Sequence, residues 1–277
     1  MTSNGLQKRA YSIARRDRCG AQISEELIVY GYCMRHGLEY VGAVGDAHFD
    51  EHHRLCKLLN LPLPVATLPA EYRDYLLIEP EDYSEDNYPD ENVLMDGRFR
   101  QHVRDLAAHL WIAPSSGPLE VALHLRRGDV RPTGKWAGRY LPNAYFLGIL
   151  HKLRDRAGTL RATVYSQSNS AESFDEFRAL GCEVRLDTDT GQAWVDMMRA
   201  DVLVMSQSAF SWIPALYNEN FVVYAPSWYC RLDPWVDSTD PDFERHVDRF
   251  VTWRNAGRPS GGWGRDAPGA APAARVG

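Results

Sequence analysis

The chain has 277 residues, of which 44% are hydrophobic and 25% charged, as is usual for a globular protein with a full core. Its net charge of −6 excludes a global basic field for nucleic acid or acidic lipid, so anion binding must be local. The five cysteines are scattered and include no CxxC pair, which indicates free thiols in a reducing compartment. With no signal-peptide core or apolar membrane span in the sequence, we expect a cytoplasmic protein, or a chain lacking its membrane anchor.

The first half alternates strands with helices. Residues 11–16 predict a strand, and residues 39–44 and 49–60 predict the next strand and helix. Between them a helix is predicted to end at Gly37, because apolar residues recur at helical spacing: Ile23, Leu27, Tyr30 and Met34. This order is typical of a parallel α/β layer.

Residues 45–53, GDAHFDEHH, raise the question of a metal site through His48, Asp50, His52 and His53. His48 and His52 lie four apart, on one helix face if the helix begins that early. Zinc needs three or four converging ligands. We favour the plainer interpretation, the solvated face of an amphipathic helix, and predict no metal ligands.

The middle of the chain separates two halves. Residues 79–92 are acidic and predict a solvated loop, residues 98–111 predict a helix, and residues 113–118 predict a linker. We therefore expect one domain over residues 1–112 and a second over 113–256. The Gly-, Pro- and Ala-rich tail, residues 257–277, is expected to be disordered.

The second half repeats the alternation more clearly. Predicted strands cover residues 120–125, 161–166, 182–186, 201–206 and 221–225, and predicted helices lie between them at 143–158, 170–181, 191–200 and 208–218. Such repetition predicts a doubly wound parallel sheet, whose ligands bind beyond the carboxyl ends of the strands.

Three polar segments fall at such strand ends: VALHLRRGDV (121–130), YSQSNS (165–170) and MSQSAFSW (205–212). Taken singly, small hydroxyl residues that enter a helix are usually N-caps. Together they would surround one crevice with the guanidinium groups of Arg126 and Arg127, several hydroxyls and helix amino ends. That combination favours phosphate binding.

Other interpretations of these residues are weaker. Arg127-Gly128-Asp129 is the integrin-binding tripeptide, but it abuts a buried strand instead of a loop tip. The sequence has neither the GxxxxGK[ST] phosphate loop nor the GxSxG motif of esterases. Three aromatic residues soon after the arginines are candidates for stacking on a sugar or base: Trp136, Tyr140 and Tyr145.

These segments resemble a known family. HLRRGD resembles the HxRRGD motif shared by α1,2-, α1,6- and protein O-fucosyltransferases. Residues 194–218 are similar to an α1,2-fucosyltransferase block that contains SNSTFSWW, and residues 94–101 are similar to a less specific segment of the same family. The resemblance covers roughly residues 94–224. The amino-terminal half fits only in its pattern, since RRDRCGAQ (15–22) stands where the family has a GGLGNQ-like start.

The resemblance implies a GT-B architecture, with two Rossmann-like domains that face each other across a cleft and the nucleotide held by the second. It also implies transfer of a sugar from a GDP-sugar, most simply GDP-fucose, to a hydroxyl of a carbohydrate or other acceptor. The reaction would invert the anomeric carbon without a bound metal or cofactor. The alternatives are another GDP-sugar, such as GDP-mannose, and a non-catalytic nucleotide-sugar or glycan-binding protein of the same fold.

The resemblance also implies residue roles. Arg126 would contact the β-phosphate and stabilise the departing GDP, and His124 and Asp196 would meet the guanosine. Ser208 and Ser211 would cap a helix that faces the diphosphate, and Arg127 would support the loop through Asp129. The general base is left open among residues near strand ends of the first half: Asp17, Glu25 and Asp46. Asp187 and Asp189 have the DxD spacing of metal-dependent sugar transferases, so transfer that depends on a metal held by these aspartates is an alternative.

Overall fold

The computed structural model describes residues 8–45, 48–83, 94–111, 117–258 and Trp263. The chain divides into two compact units, residues 1–112 and 113–277. Most of the expected tail lies outside the described residues, as do residues 84–92 of the expected acidic loop. No helix within the described ranges has the length and apolar character needed to cross a bilayer.

The first unit is built on a three-stranded parallel sheet of order β2-β1-β3. Apolar residues on one face of α1 pack with the sheet around Ala10, Val29 and Cys33. Its elements in chain order are β1 (Arg9–Ile13), α1 (Cys19–Arg35), β2 (Glu39–Val44), α2 (Phe49–Leu59), β3 (Leu76–Leu77), α3 (Pro80–Tyr83) and α4 (Gly97–Leu106).

Two local predictions in this unit are wrong in detail. β1 lies earlier than residues 11–16, because the strand ends where the charged, exposed side chains of Arg15 and Arg16 begin. Met34 is 39% exposed, and the helix face toward the core carries Val29 and Cys33 near its end instead. The helix does end before Gly37, whose φ of +69° lies in the left-handed region that glycine adopts without strain.

The second unit is built on a six-stranded sheet of order β6-β5-β4-β7-β8-β9, in which every neighbouring pair is parallel. Its elements are β4 (Leu119–His124), α5 (Asn143–Ala157), β5 (Leu160–Ser166), α6 (Asp175–Ala179), β6 (Glu183–Leu186), α7 (Thr190–Arg199), β7 (Val202–Val204), α8 (Ala209–Tyr217), β8 (Phe221–Tyr224), β9 (Val236–Asp237) and α9 (Phe243–Asn255).

Helices pack against this sheet, and the apolar side chains between the helices and the strands form the core of the unit. Apolar side chains from the central strands, such as Leu123 and Val204, pack with Phe146 and Leu150 of α5 and with Phe250 of α9. Strand β9 and helix α9 were not predicted from the sequence. The predicted α/β class, with a Rossmann-like parallel sheet in each unit, is confirmed.

Candidate functional site

The strand order of the second unit fixes where a ligand site would form. The chain goes from β4 to β5 and β6 on one side, then crosses to β7 and β8 on the other. The direction of winding therefore reverses between β4 and β7, and open parallel sheets bind ligands beyond the carboxyl ends of the strands at such a point. His124 ends β4, so the segment from Leu125 to Asp129 lies at this switch point.

Residues at the end of β5 make hydrogen bonds to the segment that follows β4. The amide of Leu125 donates to the carbonyl of Tyr165 at 3.0 Å, and the hydroxyl of Ser166 donates to the carbonyl of Leu125 at 2.8 Å. Gly128 has a φ of +79°, and a Cβ added there would lie 2.5 Å from the side-chain oxygen of Gln167. Only glycine fits this backbone without strain or displacement.

The end of β7 holds the same segment from the other side. The hydroxyl of Ser206 donates to the carbonyl of His124 at 2.5 Å and accepts from the amide of Arg126 at 2.9 Å. Ser208 is the N-cap of α8, since its hydroxyl accepts from the amide of Phe210 at 3.2 Å. The carboxyl ends of three neighbouring strands thus meet at one place.

Ser211 does not cap the helix, which corrects the sequence-based expectation. It lies inside the first turn of α8 and is fully buried, and its hydroxyl contacts the backbone of Ser206 at 3.2 Å. The N-cap position is taken by Ser208, and the hydroxyl of Ser211, the third residue of the helix, bonds the backbone of Ser206 outside the helix instead. Ser211 therefore stabilises the turn that carries Ser206 and Ser208.

The two arginines of the segment have different surroundings. The side chain of Arg126 is 15% exposed, and its Nη2 donates to Oδ2 of Asp129 at 2.9 Å. The side chain of Arg127 is 1% exposed and makes its ion pair with Glu172, not with Asp129. The expectation that Arg127 supports the loop through Asp129 is therefore wrong. Arg126 is the arginine whose guanidinium an outside anion can reach.

Arg127 lies at the centre of a polar network that sequence reasoning missed. Its Nη2 donates to Oδ1 of Asn143 at 2.7 Å and lies 3.3 Å from Oε2 of Glu172, while the ring of Tyr140 lies 4.5 Å from its guanidinium carbon. Glu172 also accepts from the amide of Asn143 and from the hydroxyl of Tyr140. Tyr140 thus stacks on an arginine of the protein itself, and burial together with Glu172 raises its pKa to about 12.

His124 is buried beside these charges. Its ring stacks on Phe210 with centroids 4.8 Å apart, and its Nδ1 has no hydrogen-bond partner among the described residues. Burial lowers the pKa of His124 to about 3, and the neighbouring charges of Arg126 and Arg127 add to this effect. The imidazole is therefore neutral at physiological pH and keeps one buried nitrogen without a hydrogen bond.

Asp196 lies on α7, next to β5 and β6. Its carboxylate accepts from the hydroxyl of Tyr165 at 2.8 Å, from Arg185 at 2.8 Å and from Gln192 at 2.7 Å. Tyr165 is the register partner of His124 in the sheet, so this carboxylate is linked to the strand next to β4. A contact between Asp196 and a guanosine stays a prediction.

The aspartates of the DxD spacing have other local roles. Asp189 is the N-cap of α7 and accepts from the amide of Gln192 at 3.1 Å. Asp187 adopts a left-handed backbone with a φ of +51° and accepts from the amide of Ser168 at 3.3 Å. Each carboxylate thus shapes a loop or a helix end.

Two of the three base candidates of the first unit lie beside the same arginine. The carboxylates of Asp17 and Glu25 lie 3.9 Å and 3.3 Å from the guanidinium of Arg15. Asp46 lies outside the described residues. The identity of the general base stays a prediction.

The interpretation of residues 45–53 as a solvated helix face is wrong for one residue. α2 begins at Phe49, so His48 precedes it, and His52 is buried while His48 and Asp50 are exposed. The ring of His52 lies beside Glu26 of α1 and near Cys56. The reason is the helix period, which places His52 on the same inward face as Cys56, one turn later.

Comparison with known proteins shows distant similarity only. No protein-family model and no curated protein matches the chain. The E. coli heptosyltransferase WaaC with ADP-2-deoxy-2-fluoro heptose is similar over 89% of this chain and 99% of that chain, with 9% identity and a TM-score of 0.49. POFUT1 in complex with GDP-fucose is similar over 77% of this chain and 71% of that chain, with 15% identity and a TM-score of 0.28. The fold assignment therefore rests on the strand order and register of the chain itself.

Proposed function

We propose that the chain is an inverting glycosyltransferase that uses a GDP-sugar, most simply GDP-fucose, and a hydroxyl acceptor. The observation that carries the proposal is the position of Arg126. Its partly exposed guanidinium lies at the switch point of the second sheet, and the Ser208-capped helix α8 begins on the adjoining strand end. A guanidinium matches phosphate oxygens bidentately, and a helix amino end offers free amides to an anion.

The chemistry fits this site. In the transfer, the acceptor oxygen forms a bond to the anomeric carbon as the bond from that carbon to the β-phosphate oxygen breaks. The acceptor proton goes to a general base, and the electron pair of the broken bond leaves with GDP. Negative charge grows on the diphosphate, so a fixed cation aimed there stabilises the transition state more than the ground state. Arg126 has that role in the proposal.

The HxRRGD motif supports the choice of GDP and of fucose, as a resemblance in sequence. His124 and Asp196 would bind the guanosine, and the neutral His124 has a buried Nδ1 that lacks a hydrogen bond. Arg127 and Asp129 would hold the loop in shape, Arg127 through Glu172 and Asp129 through Arg126. Transfer would need no metal, since cationic side chains and helix amides would carry the leaving-group charge.

A thermal-shift screen with GDP, UDP, ADP and CMP tests nucleotide choice, because a ligand of the folded state raises the melting temperature by mass action. We expect GDP to stabilise the chain at concentrations where the other nucleotides do not. Release of GDP from GDP-fucose and GDP-mannose, with glycan acceptors, then tests turnover. A stronger response to UDP would reject the donor assignment. Binding of GDP-fucose without turnover would favour the non-catalytic alternative, for which the altered RCGAQ segment is the supporting observation.

A further inference from the structure

Three residues that bind metals in many proteins converge in the core of the first unit. Within the described residues, Glu26, His52 and Cys56 are the one cluster whose ligand atoms all lie within 4.8 Å of one another. Their exposures are 3%, 1% and 0%. His52 and Cys56 lie one helical turn apart on α2, and Glu26 comes from α1. The cluster therefore joins two helices through side chains that solvent does not reach.

The backbone aims the carboxylate of Glu26 at the other two groups. Oε1 accepts from the amide of Ala43 on β2 at 3.2 Å, which leaves Oε2 toward α2. Oε2 accepts a hydrogen bond from the thiol of Cys56, with Sγ at 2.9 Å, and lies 3.3 Å from Nε2 of His52. Hydrogen bonds of this kind to a ligand's second atom orient the ligands of metal sites.

His52 supplies a second observation that points to a ligand. Its Nε2 is buried and makes no hydrogen bond in the described part of the chain, although it faces Oε2 of Glu26. A buried polar nitrogen without a hydrogen bond is costly and uncommon in native proteins. A metal ion between the two atoms would use the lone pair of Nε2 and the charge of Glu26 together.

We propose that Glu26, His52 and Cys56 form a structural site for a zinc-type divalent cation. Carboxylate, imidazole and thiolate are the ligand types that zinc takes in proteins. The thiol proton of Cys56 passes to solvent when the metal binds. One carboxylate, one thiolate and one neutral imidazole balance the two positive charges, so the buried site carries no net charge.

The distances are close to those of a bound site. Usual zinc–ligand bonds in a tetrahedron separate a nitrogen from an oxygen by about 3.4 Å and a sulfur from an oxygen by about 3.6 Å. The observed separation of Nε2 and Oε2 is 3.3 Å, and that of Sγ and Oε2 is 2.9 Å. Cys56 must therefore move outward by a fraction of an ångström, which a side-chain rotation supplies. Such a site would fix α1 against α2 beside the end of β2.

Cobalt(II) is the probe that tests the site, because a cobalt–thiolate bond gives a charge-transfer absorption that no other ligand type here produces. The full-length chain, without a histidine tag and freed of metal by a chelator, would be titrated with Co²⁺ and then with Zn²⁺. We expect one Co²⁺ per chain with the thiolate band, loss of the band when Zn²⁺ replaces it, and a higher melting temperature with Zn²⁺. Absence of the band in the folded wild-type chain would overturn the proposal.

Variants identify the ligands. Cys56→Ser is expected to abolish the thiolate band. His52→Gln keeps the thiol but removes a direct ligand, so Co²⁺ binding should weaken by at least the roughly 10–100-fold that loss of a ligand-orienting residue causes. Cys33→Ser is the matched control, because Cys33 is a buried thiol of α1 outside the cluster. A band that survives in Cys56→Ser, or that disappears in Cys33→Ser, would overturn the assignment. If Cys56→Ser does not fold, the wild-type spectrum and the His52→Gln titration decide.

Discussion

The hydroxyl of Ser206 accepts a hydrogen bond from the backbone amide of Arg126 at 2.9 Å and donates one to the carbonyl of His124 at 2.5 Å. One side chain from the end of β7 thus fixes the backbone on both sides of Leu125, at the point where β4 ends. This contact positions the guanidinium that we propose for the diphosphate.

Ser206→Ala should therefore reduce both stability and turnover. A buried carbonyl and a partly buried amide lose their partner, which costs about 1–3 kcal/mol in the free energy of unfolding. Chemical denaturation measures that loss, and GDP release per folded molecule measures turnover. Ser173→Ala is the control, because Ser173 is an exposed residue of the same unit whose hydroxyl makes a local contact with the amide of Asp175. Wild-type turnover in folded Ser206→Ala would contradict the positioning role.

Gly128→Ala tests whether the loop after β4 must approach the end of β5 closely. The new Cβ would lie 2.5 Å from the side-chain oxygen of Gln167, so the loop or Gln167 must move. Gly134→Ala is a matched control, since Gly134 also has a positive φ, of +97°, but no atom within 4 Å of an added Cβ. Both variants carry a backbone cost of about 1–2 kcal/mol.

We expect turnover to fall on the order of 10²-fold in Gly128→Ala, as displaced catalytic groups commonly cause, and to stay near wild type in Gly134→Ala. Kinetics of both variants at equal folded concentration provide the comparison. An equal loss in the two variants would show that backbone strain alone matters, and would reject the close approach.

The low pKa of His124 predicts how acid affects stability. The pKa is about 3 in the folded chain, against 6.5 for an unperturbed imidazole, so between these values the unfolded chain binds more protons. The contribution of the neutral imidazole to the free energy of unfolding is fully present above pH 6.5, and it is lost as the pH falls toward 3. His124→Phe keeps a ring against Phe210 but removes this titration.

Unfolding free energies of wild type and His124→Phe should be measured from about pH 7 down to about pH 4, within the window that the two pKa values define. Below pH 6.5 the wild-type value should fall more steeply than that of the variant, by up to about 1.4 kcal/mol per pH unit. Parallel curves for the two proteins would mean that His124 titrates alike in the folded and unfolded chains.

Sequence alone predicted most of the second sheet and its polar strand ends, because apolar runs and helical periods are local signals. It did not predict the partner of Arg127, since Glu172 is 45 residues away and is brought close only by the sheet order. Cys56 and Glu26 are likewise 30 residues apart on separate helices, so no short sequence motif contains both residues and predicts their contact. The capping role of Ser211 came from the family resemblance, and it is wrong because Ser208 is the N-cap and Ser211 bonds the backbone of Ser206.

Transfer should proceed without Mg²⁺ or Mn²⁺. Asp189 caps a helix and Asp187 holds a loop amide, so the DxD carboxylates have structural partners. We expect EDTA to leave the rate of GDP release per folded molecule unchanged, even if it removes a structural metal, and added Mg²⁺ or Mn²⁺ to increase that rate little. A loss in EDTA that Mn²⁺ restores in the wild type but not in Asp187→Asn would move the catalytic role to these aspartates. Rescue by Zn²⁺ alone would point to the Glu26 cluster instead.

The central claim, that Arg126 stabilises the departing diphosphate, is tested most directly by turnover of Arg126→Lys, normalised to folded protein by circular dichroism. Lysine keeps the charge but loses the planar, two-pronged donor, so we expect the rate to fall on the order of 10²–10³-fold, close to that of Arg126→Ala. Arg127→Ala should instead lose stability through its contacts with Asn143 and Glu172 while keeping more of the rate per folded molecule. Near-wild-type turnover in Arg126→Lys, together with a folded but inactive Arg127→Ala, would contradict this role of Arg126. Arg127 would then be the arginine that stabilises the departing diphosphate.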